Sequence, residues 1–219
     1  MSLRPSLAAR RPADRKRRRI GLRLLLRLAV AGSLALALLL LPAGCSIRVQ
    51  PPLGLMDPAT VYVLDHGHTS SLLLPGEGEA MVRFAYADYA YFALGQQGAW
   101  GSLRALFWPT QGALGRREHP GLRDEAEVRQ RFAATTEAIH PIAVERGEAV
   151  RLRERLDAIF TENIASVVER PIYDLHVVHH PRSYSYLHNS NVKVACWLRM
   201  LSCRTFGFTI SADWRIVRD

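Results

Sequence analysis

Residues 61–76 read Val61-Tyr62-Val63-Leu64-Asp65-His66-Gly67-His68-Thr69-Ser70-Ser71-Leu72-Leu73-Leu74-Pro75-Gly76. Two short apolar runs, 61–64 and 71–74, are separated by the segment around Gly67 and closed by Pro75-Gly76, and this pattern predicts two β-strands. A third apolar run at 82–86 predicts a further strand. A sheet is therefore expected here, with the polar residues 65–69 between its first two strands.

The sequence after these strands predicts both helices and strands, in no regular alternation and with no repeat at a fixed period. The predicted elements are a helical stretch at 102–107, a helix from Asp124 to about 134, a strand at 139–144, a helix at 148–164, strands at 173–178 and 183–187 around the Pro181 turn, and a final, mostly buried helix at 191–201. The helix at 148–164 is the clearest, because Leu152, Leu156 and Ile159 fall on one stripe at helical spacing. The predicted fold class is α+β, with a mainly antiparallel sheet packed against helices.

The first 45 residues have the layout of an export signal. A basic stretch at 15–19 leads into an apolar run at 28–41, and the segment closes on Leu41-Pro42-Ala43-Gly44-Cys45. Small residues before a cysteine resemble a bacterial lipobox, which implies cleavage before Cys45 and lipidation of that cysteine. As a helix the apolar run is about 21 Å long, at roughly 1.5 Å per residue, which is short for a bilayer core of roughly 30 Å. The alternative is an uncleaved anchor helix that extends back to Ile20.

Both interpretations attach the protein to a membrane. They place the rest of the chain outside the cytoplasm, in the bacterial cell envelope, because the positive flank stays inside. Residues 46–60 contain Pro51, Pro52 and Pro58, and this composition predicts a tether without a helix. The predicted organisation is therefore a leader over 1–45, a tether over 46–60 and a single globular domain over 61–219.

The formal net charge of +9 belongs to the leader. Residues 1–27 contain ten of the 29 Lys and Arg residues and one of the 20 Asp and Glu residues, so the remainder has 19 of each. A neutral domain without a basic stripe does not favour nucleic-acid binding, because phosphate contacts depend on clustered cations. Nucleic acid is therefore not an expected partner.

Several standard catalytic and cofactor motifs are absent from the sequence after the leader. It contains no Walker loop, no dinucleotide glycine fingerprint, no His-Glu-x-x-His, no paired Cys-x-x-Cys and no Gly-x-Ser-x-Gly. No cofactor is predicted. The candidate sites that remain are Asp65-His66-Gly67-His68-Thr69 and His188-Asn189-Ser190-Asn191.

The sequence resembles the bacterial envelope proteins grouped as domain of unknown function 2459. The resemblance covers nearly all of the chain after the leader, and its anchors are 61–67, 72–75, Phe84-Ala85-Tyr86-Ala87-Asp88, 103–109 and 186–198. Members of that family are distantly similar to permuted papain-like proteins of the NlpC/P60 kind. The resemblance implies a papain-like α+β fold, with a histidine early in the chain and a nucleophile later, at the start of a helix.

The resemblance also implies which residues form the site. It places a catalytic histidine at His68 and a nucleophile at Ser190, at a helix N-terminus. Such a terminus offers backbone donors to an oxyanion, and a neighbouring imidazole accepts the proton of the nucleophile. The other residues implied are Asp88, to orient the histidine, and Asn191, as an orienting or oxyanion group. If the segment is extended, His66 faces the same side as His68, because alternate residues of a strand share a face.

Two positions depart from the pattern of that family. Ser190 stands where many relatives carry Cys, and serine, the weaker nucleophile, depends wholly on a general base. The usual family pattern is Gly-Trp-His-Thr, and a gapless match places Thr69 where the histidine belongs. His68 can therefore serve only if the loop after Gly67 absorbs a shift of one residue.

The candidates also have purely structural interpretations. Asn189 or Ser190 would cap the last helix, and Asp88 would cap a turn. The residues expected to pack in the core rather than to bind a ligand are Tyr89, Tyr91, Phe92, Trp100, Trp108 and Cys196.

A zinc site is the remaining alternative for the histidines. His66 and His68 would need a third ligand from later in the chain, and the candidates are His176, His179 and His180. Spacing this loose does not favour a metal site, and no metal is predicted.

Three functions remain open. The first is an enzyme that transfers or hydrolyses an acyl or amide group, with peptidoglycan stem peptides or lipid acyl chains as substrate. The second is a catalytically inactive descendant of the same fold that serves as an envelope binding or assembly module. The third is a membrane-tethered protein whose function is dimerisation.

Overall fold

The computed structural model describes residues 46–95, 109–185, 187–207 and 212–217, together with five leader positions that are helical, Arg27, Leu28, Val30, Gly32 and Ser33. The chain divides into two units, Met1–Gly44 and Cys45–Asp219. The rest of the predicted leader, Cys45 and the helical stretch at 102–107 lie outside the described residues. None of the helices in the described ranges is long and apolar enough to span a bilayer.

The described strands form two sheets. In chain order they are β1 (Ile47–Gln50), β2 (Pro58–Asp65), β3 (Ser70–Pro75), β4 (Ala80–Asp88), β5 (Thr110–Pro120), β6 (Ala138–Glu145), β7 (Val168–Arg170), β8 (Leu175–Tyr184), β9 (Arg204–Phe206) and β10 (Trp214–Ile216). Seven of them form the large sheet, in the order β6-β2-β3-β4-β5-β8-β7, and each neighbouring pair is antiparallel. The prediction of an α+β fold with a mainly antiparallel sheet is confirmed.

Four α-helices in the described part of residues 45–219 accompany the sheets: α1 (Tyr89–Phe92), α2 (Glu125–Phe132), α3 (Arg146–Glu162) and α4 (Ser190–Met200). Two short 3-10 helices cover Ile164–Ser166 and Pro171–Tyr173. The three longer α-helices were predicted from local patterns. Asp124 caps α2 by accepting from the backbone N–H of Glu127 at 2.9 Å, as the spacing of the two residues predicts. The buried residues of α3 include Leu152 and Leu156, which belong to its apolar stripe.

The two faces of the large sheet pack different partners. On the first face, Val63, Phe84 and Leu114 lie in one apolar core with Leu152 of α3 and Leu198 of α4. The second face packs α2, and there the core includes the buried β2, β3 and α2 side chains Tyr62, Leu73, Val128 and Phe132. Neighbouring residues of a strand alternate between these cores, as the pleat requires.

The turn between β2 and β3 brings the polar segment to one end of the sheet. Asp65 pairs with Ser70, and the turn closes through a hydrogen bond from the His66 N–H to the Thr69 carbonyl at 2.9 Å. Gly67 has a φ of 86°, a conformation that a residue with a Cβ rarely adopts. The turn therefore depends on glycine at this position.

The tether predicted over 46–60 is corrected by the structure. Ile47–Gln50 form β1, which pairs with β9 and β10, and Val49 is 0% exposed in the core of the first sheet face. Residues 58–60 begin β2. The pairing partners of β1 lie at the far end of the chain, so the local sequence around the prolines gave no sign of this strand.

The predicted break at Pro181 is also corrected. Leu175–Tyr184 form one strand, β8, which continues through Pro181. The pairing of β8 with β5 shifts register between Thr110 and Gly112, and Pro181 lies opposite that irregularity. Proline is tolerated there because a bulge does not need its missing N–H.

Candidate functional site

A cavity of about 840 Å³ lies against the second face of the sheet. Side chains of β3 and β4, the β2–β3 turn, α1, α2 and the first residue of α4 all contribute to its lining. This volume is within the roughly 300–1,000 Å³ typical of small-molecule sites. Four of the predicted site residues line it, His66, His68, Asp88 and Ser190.

Ser190 is the first residue of α4, and it is only 2% exposed. The preceding Asn189 caps the helix, since its side chain accepts from the Val192 N–H at 3.0 Å. The capping interpretation is therefore confirmed for Asn189. In the described ranges the Ser190 hydroxyl has no hydrogen-bond partner, and no imidazole is bonded to it.

Asn191 lies behind the cavity lining and is 1% exposed. Its side-chain oxygen accepts from the Ser70 hydroxyl at 2.7 Å, and its amide nitrogen donates to the His68 carbonyl at 3.1 Å. Ser70 in turn accepts from the Trp214 indole N–H at 2.7 Å. Asn191 thus fastens the β2–β3 turn to α4, and its side chain is already committed to that role.

His68 and Asp88 line the same cavity but are not bonded to each other. His68 is exposed on the β2–β3 turn. One Asp88 oxygen accepts from the Tyr91 N–H at 2.7 Å and caps α1, and the other accepts from the Thr110 hydroxyl. The capping interpretation of Asp88 is confirmed, and no described histidine is bonded to its carboxylate.

His66 is held at both ring nitrogens. Its Nδ1 lies 2.6 Å from the Thr135 carbonyl, which can only accept, so Nδ1 carries the proton. Its Nε2 therefore accepts from the Ser71 hydroxyl at 2.9 Å and from the Arg83 guanidinium at 3.2 Å. Burial and the charge of Arg83 lower the pKa of His66 from 6.5 to about 4, so the ring is neutral at pH 7.

Arg83 lies on β4 and is 7% exposed. Its Nε donates to the Ser71 hydroxyl at 3.0 Å, one terminal nitrogen donates to the Tyr173 carbonyl at 3.1 Å, and the other donates to His66. All three acceptors are neutral. No carboxylate in the described ranges forms an ion pair with this guanidinium.

Two further arginines of this region, Arg117 and Arg131, form ion pairs with the same carboxylate, that of Asp174. Asp174 forms ion pairs with Arg117 at 3.1 Å and with Arg131 at 2.5 Å. Arg131 and Asp174 line the cavity together with Arg83, whereas Arg117 does not. We call the part of the cavity formed by Arg83, Arg131, His66 and Ser71 the basic end.

Sequence reasoning missed the basic end. Arg83 interrupts an otherwise apolar strand pattern at 82–86, and a charged residue is almost never fully buried unless it has a partner. That interruption was the available signal. Arg131 comes from a helix and Asp174 from a turn with a φ of 51°, so only the tertiary fold brings the group together.

The aromatic prediction is corrected in part. Tyr91 and Phe92 line the cavity, and Tyr91 is exposed rather than in the core. Phe92 stacks on Tyr173, with ring centroids 4.2 Å apart. Trp100 and Trp108 lie outside the described residues.

The histidines that were alternative zinc ligands are engaged elsewhere. His176 bonds to Arg117 at 2.8 Å, His179 packs edge-on against Tyr89, and His180 accepts from the Arg182 N–H at 2.9 Å. No group of three His, Cys, Asp or Glu residues within the described ranges is placed to bind a metal ion. Cys196 and Cys203 are free thiols.

Comparison with known proteins gives no match: no family model, no curated protein and no solved structure is similar to this chain. The resemblance to domain of unknown function 2459 therefore remains a prediction from the sequence. The geometry of the cavity carries the functional argument.

Proposed function

We propose that this protein is a membrane-attached bacterial envelope protein whose domain binds a ligand in the cavity without cleaving it. On this proposal the domain is a catalytically inactive relative of the papain-like, permuted NlpC/P60 type. The observation that carries the proposal is the Ser190 hydroxyl, which lies on the cavity but is not bonded to any described imidazole. A serine without a general base is a poor nucleophile.

His66 is unsuited to act as that base. Its Nδ1–H is held by the Thr135 carbonyl, and its Nε2 already accepts from Ser71. A second proton would create an imidazolium 3.2 Å from the Arg83 guanidinium. A base with a pKa of about 4 is also far from the near-neutral value that proton abstraction favours.

An acyltransferase or amidase remains the second candidate function. The observation in its favour is that Ser190, at the N-terminus of an 11-residue helix, shares one cavity with His68 and Asp88. His68 is exposed on a turn, so a rearrangement on substrate binding could bring its ring to the serine. Peptidoglycan stem peptides and lipid acyl chains are the candidate substrates.

A decyl fluorophosphonate distinguishes the two candidates, because it reacts covalently only with an activated serine. We expect intact-mass spectrometry of the full chain to show no adduct. A one-to-one adduct that maps to Ser190 and disappears in Ser190→Ala would establish the enzyme instead. Ser71→Ala is the matched control, since an adduct lost only in that variant would assign reactivity to the Ser71–His66 pair.

We place the membrane attachment at Cys45, with an uncleaved leader helix as the alternative. The support is the order of basic stretch, apolar run and small residues before the cysteine. Mass spectrometry of the mature N-terminus tests this attachment. A diacylated or triacylated Cys45 is the expected result, and an intact basic stretch at 15–19 would overturn it.

A further inference from the structure

We infer that the basic end of the cavity binds an oxyanion, a carboxylate or a phosphate, carried by a molecule whose apolar body lies against the aromatic part of the same cavity. This inference rests on the proposed ligand-binding function and names the chemical class of the ligand. Arg83 and Arg131 are the residues that would contact the oxyanion.

Arg83 is buried, and its hydrogen bonds with described residues all go to neutral acceptors. A buried cation that meets only neutral acceptors carries a desolvation cost that those hydrogen bonds do not offset. Its contacts with Ser71, Tyr173 and His66 use three of the five N–H groups of a guanidinium. Donors and charge therefore remain for an anion in the cavity.

The guanidinium groups around Arg83 outnumber the carboxylates that pair with them. Asp174 forms ion pairs with Arg117 and Arg131 and attracts the Arg83 guanidinium without an ion pair, so one carboxylate is the counter-charge of three guanidinium groups. The nearby imidazoles of His66 and His119 add no charge to this balance. Burial and the charge of Arg83 lower the pKa of His66 to about 4, and burial and the charge of Arg131 lower that of His119 to about 4. Both rings are therefore neutral at pH 7. An incoming oxyanion supplies the missing negative charge.

The two cavity arginines, Arg83 and Arg131, both lie near Phe132. The guanidinium carbon of Arg83 lies 5.7 Å from the centroid of the Phe132 ring, and that of Arg131 lies 5.9 Å from the same centroid. Both groups therefore lie close to one aromatic ring, and that ring itself lines the cavity. A planar guanidinium group can donate two parallel hydrogen bonds to two oxygens of one carboxylate or phosphate. This geometry suits a ligand with two or more equivalent oxygens.

The rest of the lining identifies the body of the ligand as apolar. Phe92 and Tyr173 stack on each other on the cavity wall, and Ala85 and Ala87 form part of its floor on β4. Ile172 lines the cavity and is 78% exposed. A free inorganic anion would leave this apolar lining in contact with water, whereas an amphipathic anion would cover it.

Equilibrium dialysis tests this inference by measuring the binding of radiolabelled decanoate and of radiolabelled decyl phosphate to the full chain. The chain is held in phosphatidylcholine nanodiscs, and empty nanodiscs are the blank. We expect saturable binding of one molecule per chain for at least one of the two anions, and their ratio distinguishes a carboxylate from a phosphate head group. The neutral 1-decanol and inorganic phosphate should bind at least tenfold more weakly, because each lacks one half of the ligand.

Three arginine variants locate the oxyanion. Arg83→Gln and Arg131→Gln should each weaken binding at least tenfold, whereas Arg117→Gln should stay within twofold, because Arg117 pairs with Asp174 but does not line the cavity. Arg131 is about half exposed, so its variant remains informative if Arg83→Gln fails to fold.

Different negative results would overturn the oxyanion site and the ligand-binding function. Binding of decanol as tight as that of the better-bound anion, decanoate or decyl phosphate, would overturn the oxyanion site and leave the ligand-binding function intact. An equal loss of binding in Arg117→Gln and Arg131→Gln would overturn the assignment to the cavity arginines. Absence of binding by every probe would overturn the proposed function together with this inference.

Discussion

The Ser71 hydroxyl joins the two side chains that define the basic end. It accepts from the Arg83 Nε–H and donates to the His66 Nε2, and the residue is buried. A neutral His66 is needed for this arrangement, because only an unprotonated Nε2 can accept. The position of Arg83 therefore depends on a hydroxyl and on an imidazole that carry no charge of their own.

Ser71→Ala should destabilise the fold by about 1–3 kcal/mol, because it leaves a buried Arg83 donor and a buried His66 acceptor without one of their partners. Urea unfolding of the full chain measures this change. Ser183→Ala is the matched control, since Ser183 is exposed on β8 and its loss should stay within about 0.5 kcal/mol. Equal changes in the two variants would contradict the role of the Ser71 network.

Buried neutral histidines make the stability of the domain depend on pH. The pKa of His119 is lowered from 6.5 to about 4 by burial and by Arg131, and that of His180 is lowered to about 4 by burial and by Lys193. Between these values the unfolded chain binds more protons than the folded chain. The stabilising effect is complete above pH 6.5 and is lost as the pH falls toward 4.

We therefore expect the free energy of unfolding to decrease from about pH 6.5 to about pH 4.5, by up to about 1.4 kcal/mol per pH unit for each histidine. Urea unfolding at several pH values measures the slope. His119→Leu removes one titrating ring whose Nε2 has no hydrogen-bond partner among the described atoms. The slope should become shallower in this variant, and an unchanged slope would show that His119 does not contribute.

The sequence predicted which residues lie near the site better than it predicted the contacts that those residues make. His66, His68, Asp88 and Ser190 do line one cavity, which the sequence suggested only through the resemblance. Their hydrogen bonds could not be predicted, because the partners Thr135, Thr110 and Arg83 come from distant parts of the chain. The catalytic role of these residues remains a prediction.

Among the elements, those with local signals were predicted correctly. The cap of α2 involves residues three positions apart, and the apolar stripe of α3 lies within that helix alone. The strand through Pro181 was missed because a bulge in the pairing with β5 removes the need for its N–H. Such pairing is a property of two segments together, and the sequence of one segment does not contain it.

Asn189 caps α4 at the end of the helix that borders the cavity. Asn189→Ala removes the acceptor for the Val192 N–H and should destabilise the domain by about 1 kcal/mol, whereas Asn189→Asp keeps an acceptor oxygen and should retain most of that stability. Thermal unfolding of the two variants beside the wild type measures the difference. Equal losses in both would show that the side-chain oxygen is not the stabilising group.

At the level of the whole domain, residues 47–50 complete the core. Val49 of β1 and Trp214 of β10 belong to the same core as α3 and α4, although more than half of the chain separates them. A chain that begins at Pro51 would lose β1 and expose this part of the core. The strand Ile47–Gln50 is thus part of the folded domain rather than of a free tether.

Val49→Ala should destabilise the domain by about 2 kcal/mol, because it removes two buried methyl groups and leaves a small cavity. Arg48→Ala, at the exposed neighbouring position on β1, should change the free energy of unfolding by less than about 0.5 kcal/mol. Denaturant unfolding of both variants measures the contrast. No effect of Val49→Ala would mean that β1 is not part of the folded core.

Binding of a decyl anion to a cavity-filling variant tests most directly whether this cavity is the ligand site. Ala87 lines the cavity from β4, whereas Ala143 is exposed on the edge strand β6. We predict that Ala87→Phe abolishes saturable binding, in equilibrium dialysis, of whichever of decanoate and decyl phosphate binds the wild type, while Ala143→Phe binds that probe as the wild type does. Unchanged binding in a folded Ala87→Phe variant would contradict the central claim that this cavity is the ligand site.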